Sequence, residues 1–413
     1  MRTLVLVLAL ALPSPVRGWT QDSVPDPFAA GMDFYWANEM DSAVVYLGVA
    51  AGDTATDPTR WAWLAEAQRR AGRSADAAAT ARAALVLATV SGQCNAFAHT
   101  VLADALNPQY GDWDGADADL AWKHALAAVE CDPDDGNAWL ETVFGAVMRG
   151  NDELERRALG KLVETGFLTE AALAHNRWVL EGVPDSAVLI TNGDLDTYPA
   201  LALQVSEGVR TDVAVINVSL LDVARYAEAM ATRHGLPAVQ MDPGAGQQGR
   251  WAPAIVSALT RASLAGDLAR PVAFAATIDP TLLAELPATA RFAGTHWLAG
   301  PGGTAPIDTA ATRRAMEAAD ASALAGPAVS AADRSPVRRR STALELYPVL
   351  AALRYGCALT AADREREAAR TVHWIRQFVH DVGAGERYGE AIDALAARGF
   401  QLGEWPCGSD RTP

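Results

Sequence analysis

Ala187-Val188-Leu189-Ile190-Thr191-Asn192-Gly193-Asp194-Leu195-Asp196-Thr197-Tyr198-Pro199 is the stretch that decides the fold. Its first residues form an uncharged apolar run that ends in turn chemistry at Asn192-Gly193, which predicts a strand buried on both faces. Working outward, Val213-Ala214-Val215-Ile216-Asn217-Val218 is a second such run and Pro271 to Thr277 a third, with Thr295-His296-Trp297-Leu298 as a fourth. Helical stretches separate them, from about Tyr198 to Glu207, Asp222 to Arg233 and Ala252 to Ala265, with a short one at Leu282 to Leu286. Continuous apolar runs alternating with helices are what a parallel sheet covered on both faces requires. Residues 184–305 are therefore expected to form a small Rossmann-like α/β domain with four parallel strands.

Upstream the texture is helical and repetitive. Trp61 and Leu64, a turn at Gly72, then Ala77 and Ala84 fit the tetratricopeptide pattern, in which small residues let two helices close into a hairpin. Ala121, Ala125 and Ala128 before Asp132-Pro133 end another copy, and Trp139-Leu140 opens the next. An earlier, looser unit runs from Phe28 to Asp57-Pro58. The fold class expected is α/β plus all-α, with tetratricopeptide-like helical hairpin repeats over 26–183. A Gly-, Ala-, Pro- and Arg-rich linker covers 306–341, a C-terminal helical cap 342–402 and a tail 403–413.

Half of the 413 residues are hydrophobic, enough for packed cores. A formal charge of −16 argues against a nucleic-acid partner, whose phosphates it would repel. Arg2, the apolar run Leu4 to Leu12, its break at Pro13 to Pro15 and the small or tolerated residues Val16-Arg17-Gly18 read as a signal peptide over 1–18. No later run reaches the length of a spanning helix, so no transmembrane segment is expected in the mature chain. The expected location is outside the cytoplasm, in a bacterial periplasm or secreted. Cysteines suit that compartment. Four allow three pairings. The hairpin reading puts Cys94 and Cys131 at the same end of one helix pair, leaving Cys357 for Cys407.

Three blocks carry a family resemblance: Thr191 to Pro199, then Glu207-Gly208-Val209-Arg210-Thr211-Asp212-Val213, then Ile216 to Leu221, with Arg270 to Thr277 further on. Their succession resembles the extracytoplasmic α/β plus tetratricopeptide region of bacterial membrane proteins related to protein O-mannosyltransferases. The resemblance covers about residues 185–300. In that family the transferase activity lies in a membrane-embedded region. Here a signal peptide and helical repeats stand in its place, so the resemblance implies an accessory or recognition module without mannosyl transfer.

In an open α/β sheet ligands bind beyond the carboxyl ends of the strands. That edge is expected to gather Asn192, Asp194, Asp196 and Thr197 after the first strand, Asn217 and Ser219 at the second, and Thr277 after the third. The loop Gly300 to Gly303 should join them after the fourth. Asp194 and Asp196 could hold a hard cation or share a proton. The plainer reading makes Asp196 or Thr197 a helix N-cap with Pro199 in the first turn. The chain has no Walker loop, no G-x-G-x-x-G after the first strand and no G-x-S-x-G elbow. With Lys123 and Lys161 its only lysines, the late lysine of a haloacid-dehalogenase site is missing too. His373 and His380 have no completing zinc ligands, and Trp61, Trp63, Trp122 and Trp139 read as repeat core. The function expected is a non-catalytic binding or scaffolding protein with no cofactor. A protein or peptide would sit on the repeats and a small polar or glycan ligand at the α/β crevice. The alternative is a metal-assisted hydrolase or glycosyltransferase-related enzyme using Asp194 and Asp196.

Overall fold

Asp57 shows how the helices of this chain begin: its carboxylate accepts the Thr59 N–H at 2.9 Å, and Pro58 fills the first helical position, where no donor is needed. Asp26, Asn95 and Asp135 cap in the same way. The computed structural model describes residues 26–53, 56–108, 113–237, 251–286, 289–300, 306–325, 344, 346–401 and 407. The expected signal peptide, Pro301-Gly302-Gly303 and Arg338-Arg339-Arg340 lie outside them. Contacts divide the chain into two units, Met1–Arg149 (with Pro413) and Gly150–Thr412.

The first unit is helical: α1 (Pro27–Trp36), α2 (Met40–Asp53), α3 (Pro58–Arg70), α4 (Ser74–Val90), α5 (Ala96–Leu106), α6 (Ala116–Cys131) and α7 (Gly136–Met148). Each helix packs on the next, and α3 also packs on α5 and α5 on α7. Small residues make this possible: Ala62, Ala77, Ala81, Ala84, Ala98 and Ala128 are fully buried where helices touch. Trp63 and Trp139 are buried as expected of core, whereas Trp61 and Trp122 are only half-buried. Cys94 and Cys131 are joined at the open end of the α5–α6 hairpin, their Cα atoms 5.7 Å apart. A buried polar relay also runs through this unit. The Tyr35 hydroxyl donates to Glu66 at 2.9 Å, and Arg69 binds Glu66 at 2.7 Å and Asp104 at 2.7 Å.

The second unit holds α8 (Asp152–Glu164), α9 (Glu170–Gly182), β1 (Val188–Thr191), α10 (Asp194–Glu207), β2 (Ala214–Asn217), α11 (Ala224–His234), α12 (Ala252–Ala265), β3 (Val272–Ala275), α13 (Pro280–Ala284), β4 (Thr289–Phe292) and β5 (His296–Gly300). It continues with α14 (Thr309–Ala318), α15 (Ala321–Leu324), α16 (Leu346–Ala361), α17 (Glu365–Asp381) and α18 (Gly385–Arg398). Every residue of β1, β2 and β3 is buried. Arg210 fixes the entry into β1: its guanidinium donates to the carbonyls of Leu180, Val183 and Pro184 at 2.9, 3.0 and 2.9 Å and pairs with Asp212. Cys357 and Cys407 form the second disulfide and pack against the core of this unit.

The sheet is mixed, which corrects the expected all-parallel, four-stranded one. Its order is β2-β1-β3-β5-β4; β1 is parallel to β2 and β3, while β5 runs antiparallel to both β3 and β4. A parallel neighbour needs a crossover, but β4 and β5 are joined by a tight turn, so they must run in opposite directions. Gly294 makes that turn at φ 92°, and a Cβ there would come within 2.5 Å of Ala315 Cβ and 2.9 Å of Thr312 Cα. Strand β4 escaped the reading because it lies at the sheet edge with its first three residues exposed or half-buried, so it presents no apolar run. Gly300 pairs with Thr289, at the edge opposite the carboxyl ends of β1 to β3, so it does not join the expected rim.

Candidate functional site

From β1 the chain leaves towards β2 on one flank, and from β3 it leaves towards β5 on the other. Such a reversal opens a crevice at the carboxyl ends of the two strands, here between β1 and β3. Asp196 and Thr277 meet across it: the Thr277 hydroxyl donates to Asp196 Oδ2, which also accepts the Asn192 N–H at 3.2 Å. Around them, Thr191 and Thr197 share a hydroxyl hydrogen bond of 2.6 Å, and Thr197 donates to the Gly193 carbonyl at 2.8 Å. From β2, Asn217 Oδ1 accepts the Ser219 N–H at 2.9 Å, and the Ser219 hydroxyl donates to the Asn192 carbonyl at 3.2 Å. The rim thus brings Asn192, Asp196, Thr197, Asn217, Ser219 and Thr277 into one hydrogen-bonded set.

Asp194 is the first residue of α10. Positions two apart on a helix do not face each other, and Asp194 is exposed while Asp196 is buried. Burial pushes the Asp196 carboxyl above its ordinary value, Thr277 and Asn192 pull it back, and the like charge of Asp194 raises it further. Tyr347, on α16, is pushed up by burial and then by Asp196, and its ring lies 4.8 Å from that of His175 on α9. Among the described residues no group of three or more His, Cys, Asp or Glu side chains is placed to hold a metal ion. His373 and His380 are exposed on α17.

An acid whose folded value lies above 3.8 binds more protons folded than unfolded, so its stability contribution falls as pH rises through that window. Asp196→Asn is therefore expected to raise the unfolding midpoint at neutral pH and to lose this advantage below pH 3.8. Unfolding curves at neutral and acid pH measure both ends. A lower midpoint for the variant at neutral pH would show that the ionised carboxylate supports the loop.

The expected cap is corrected as well. Helix α10 begins at Asp194 with Gly193 as its N-cap, so Asp196 and Thr197 lie within the first turn or so and Pro199 lies inside the helix. Proline there has no N–H for the Leu195 carbonyl four residues back. Asn176, on α9 and 2% exposed, supplies the donor: its Nδ2 binds the Leu195 carbonyl at 2.7 Å and Ala172 at 2.9 Å. The reading missed Asn176 because it placed the helix start at Tyr198, which hid the orphaned carbonyl. Asn176→Leu should cost about 1–3 kcal/mol by leaving that carbonyl buried without a partner. In a Pro199→Ala background the new N–H can serve it, so the cost should shrink. Equal costs in the two backgrounds, by urea unfolding, would contradict this account.

Residues 172–236 match the family described as TMEM260-associated domain 2. No curated protein matches the chain. The matched stretch spans α9 to α11 and contains every rim residue named except Thr277. It supports the resemblance in a coarser form, as similarity to a domain associated with TMEM260, an O-mannosyltransferase-related protein.

Proposed function

We propose that this chain is an exported binding protein in which tetratricopeptide-like hairpins receive a protein or peptide and a Rossmann-like module receives a small polar ligand. The observation that carries it is the state of the rim: Asp196, Thr277, Thr191, Thr197, Asn217 and Ser219 are engaged in hydrogen bonds with one another or with the backbone. The match to an associated domain, with the family's activity assigned to a separate membrane region, supports the same reading, and two disulfides suit an oxidising compartment.

In the first unit Trp113, Trp122, Glu141, Phe144 and Arg149 line a shallow recess that holds about 20 Å³. Aromatic walls with a few polar groups are the usual furniture of a recognition site. A photo-cross-linker at Phe144 of the full chain tests this reading, with Val86, 62% exposed, as the control position. One partner captured from position 144 and absent from 86 is expected. Identical adducts from both positions, or none from 144, would overturn it. The enzyme reading rests on Asp194 and Asp196. It would require a thermal shift with magnesium, calcium or manganese that Asp194→Asn abolishes.

A further inference from the structure

Arg354 is a cation of the second unit held by aromatic rings, with no ion pair among the described residues. It lies on α16, half-buried, with its guanidinium carbon 4.4 Å from the Phe292 ring centre and 4.6 Å from that of Trp297. Those two rings sit 5.1 Å apart at 61° to each other, so the cation occupies the angle between them. Aromatic faces attract a guanidinium but accept none of its five N–H groups in the manner of an oxygen. Among the described residues no carboxylate or carbonyl bonds to it. Asp308, the acid at the start of α14, is taken by Arg291 at 3.4 Å. Burial without a counter-charge holds Arg354 down to about 10. Phe292 and Trp297 pair with each other at the end of the sheet where Ala275 meets His296, the same end at which Thr277 and Asp196 meet. Tyr347, whose hydroxyl feels the charge of Asp196, lies two helical turns before Arg354 on the same helix, about 10 Å away along the axis.

We propose that Arg354, held between Phe292 and Trp297, is an anion-receiving group that binds the carboxylate of a ligand seated at the rim. A planar carboxylate matches the guanidinium fork through two parallel hydrogen bonds and supplies the single negative charge that one arginine lacks. A phosphate or sulfate dianion would call for a second cation, and Arg291 is committed to Asp308. The inference rests on the reading of the α/β module as a binding site and names the chemistry of its ligand.

Calorimetric titration of the full, disulfide-bonded chain tests it with two carboxylate probes and their neutral counterparts. Glucuronate against glucose represents a sugar acid, and acetyl-Ala-Ala against its amide represents a peptide terminus. Saturable binding of one acid, with its neutral counterpart silent, identifies the source. Arg354→Met, which keeps an apolar side chain between the rings, should abolish that binding, and Arg354→Lys should weaken it at least about tenfold, since an ammonium has no fork. Without ligand, Arg354→Met should unfold at the same temperature as the parent or higher, because an unpaired desolvated charge is a cost. A clear drop in that temperature would make Arg354 a structural residue and overturn the proposal. So would sulfate binding as tightly as the acids, or no binding by either acid. Equal binding by parent and Arg354→Met would remove Arg354 while leaving the module a binding site.

Discussion

Lowering the pH from 6.5 towards 4 is expected to strip stability from the second unit through two histidines. His175 is 3% exposed and His296 2%, and burial lowers each from 6.5 to about 4. Burial alone accounts for the shift of His175, while Asp308 pulls His296 back only in part. Both imidazoles are therefore neutral in the fold and take up protons only once it opens. Between 6.5 and 4 the unfolded chain binds more protons than the folded one, so stability falls as pH falls through that window. A fully buried group shifted this far contributes about 3 kcal/mol at the acid end. Asp196 works in the opposite direction, since its raised carboxyl gains a proton in the fold, and it softens the loss. His175→Phe keeps a ring against Trp178 and Tyr347 and removes the titrating group. Chemical unfolding at several pH values should show a steep decline for the parent and a shallower one for the variant. Parallel declines would mean that His175 is charged or solvated in the fold.

The second large effect belongs to Cys357–Cys407. Breaking a bridge restores loop entropy to the unfolded chain, and for a separation of 50 residues this is worth about 4 kcal/mol. Both sulfurs pack against the main core of the unit, and the adjacent Gly356 lies against the Phe400 ring, where a Cβ would come within 2.1 Å. Replacing both cysteines with alanine should therefore loosen α16 and α18 together and lower the unfolding temperature of the second unit. Cys94→Ala/Cys131→Ala, with a separation of 37 residues, acts on the first unit by a similar amount. Two calorimetric transitions, each moved by one pair only, are expected. Removal of Cys357–Cys407 without any shift would contradict the entropic account.

How much of this was legible depended on whether a residue's role is settled locally. Strands β1, β2 and β3 are buried throughout, so each shows as an apolar run, and their polar ends could be assigned to one rim. Edge strand β4 and the direction of β5 could not be read in that way, because both follow from the turn at Gly294 and its contact with α14. Cys94 and Cys131 were legible from hairpin geometry alone. The start of α10 was misplaced because Pro199 usually marks a first turn, and only the distant Asn176 makes it tolerable inside the helix. Arg354, Tyr347 and His175 carried no local signal. They reach the sheet through packing between elements far apart in sequence, and the 306–341 stretch expected as a linker contains the helix α14 on which Trp178 is anchored through the Ala315 carbonyl at 2.7 Å.

The account turns on Asp196 and Thr277 facing each other where the paths out of β1 and β3 diverge. Carbon-13 titration of the Asp196 carboxyl in the parent and in Thr277→Val measures this directly. A midpoint above 3.8 is predicted, rising further in the variant because the hydroxyl that stabilises the anion is gone. A midpoint at or below 3.8, or one indifferent to Thr277→Val, would show that the two loops do not meet.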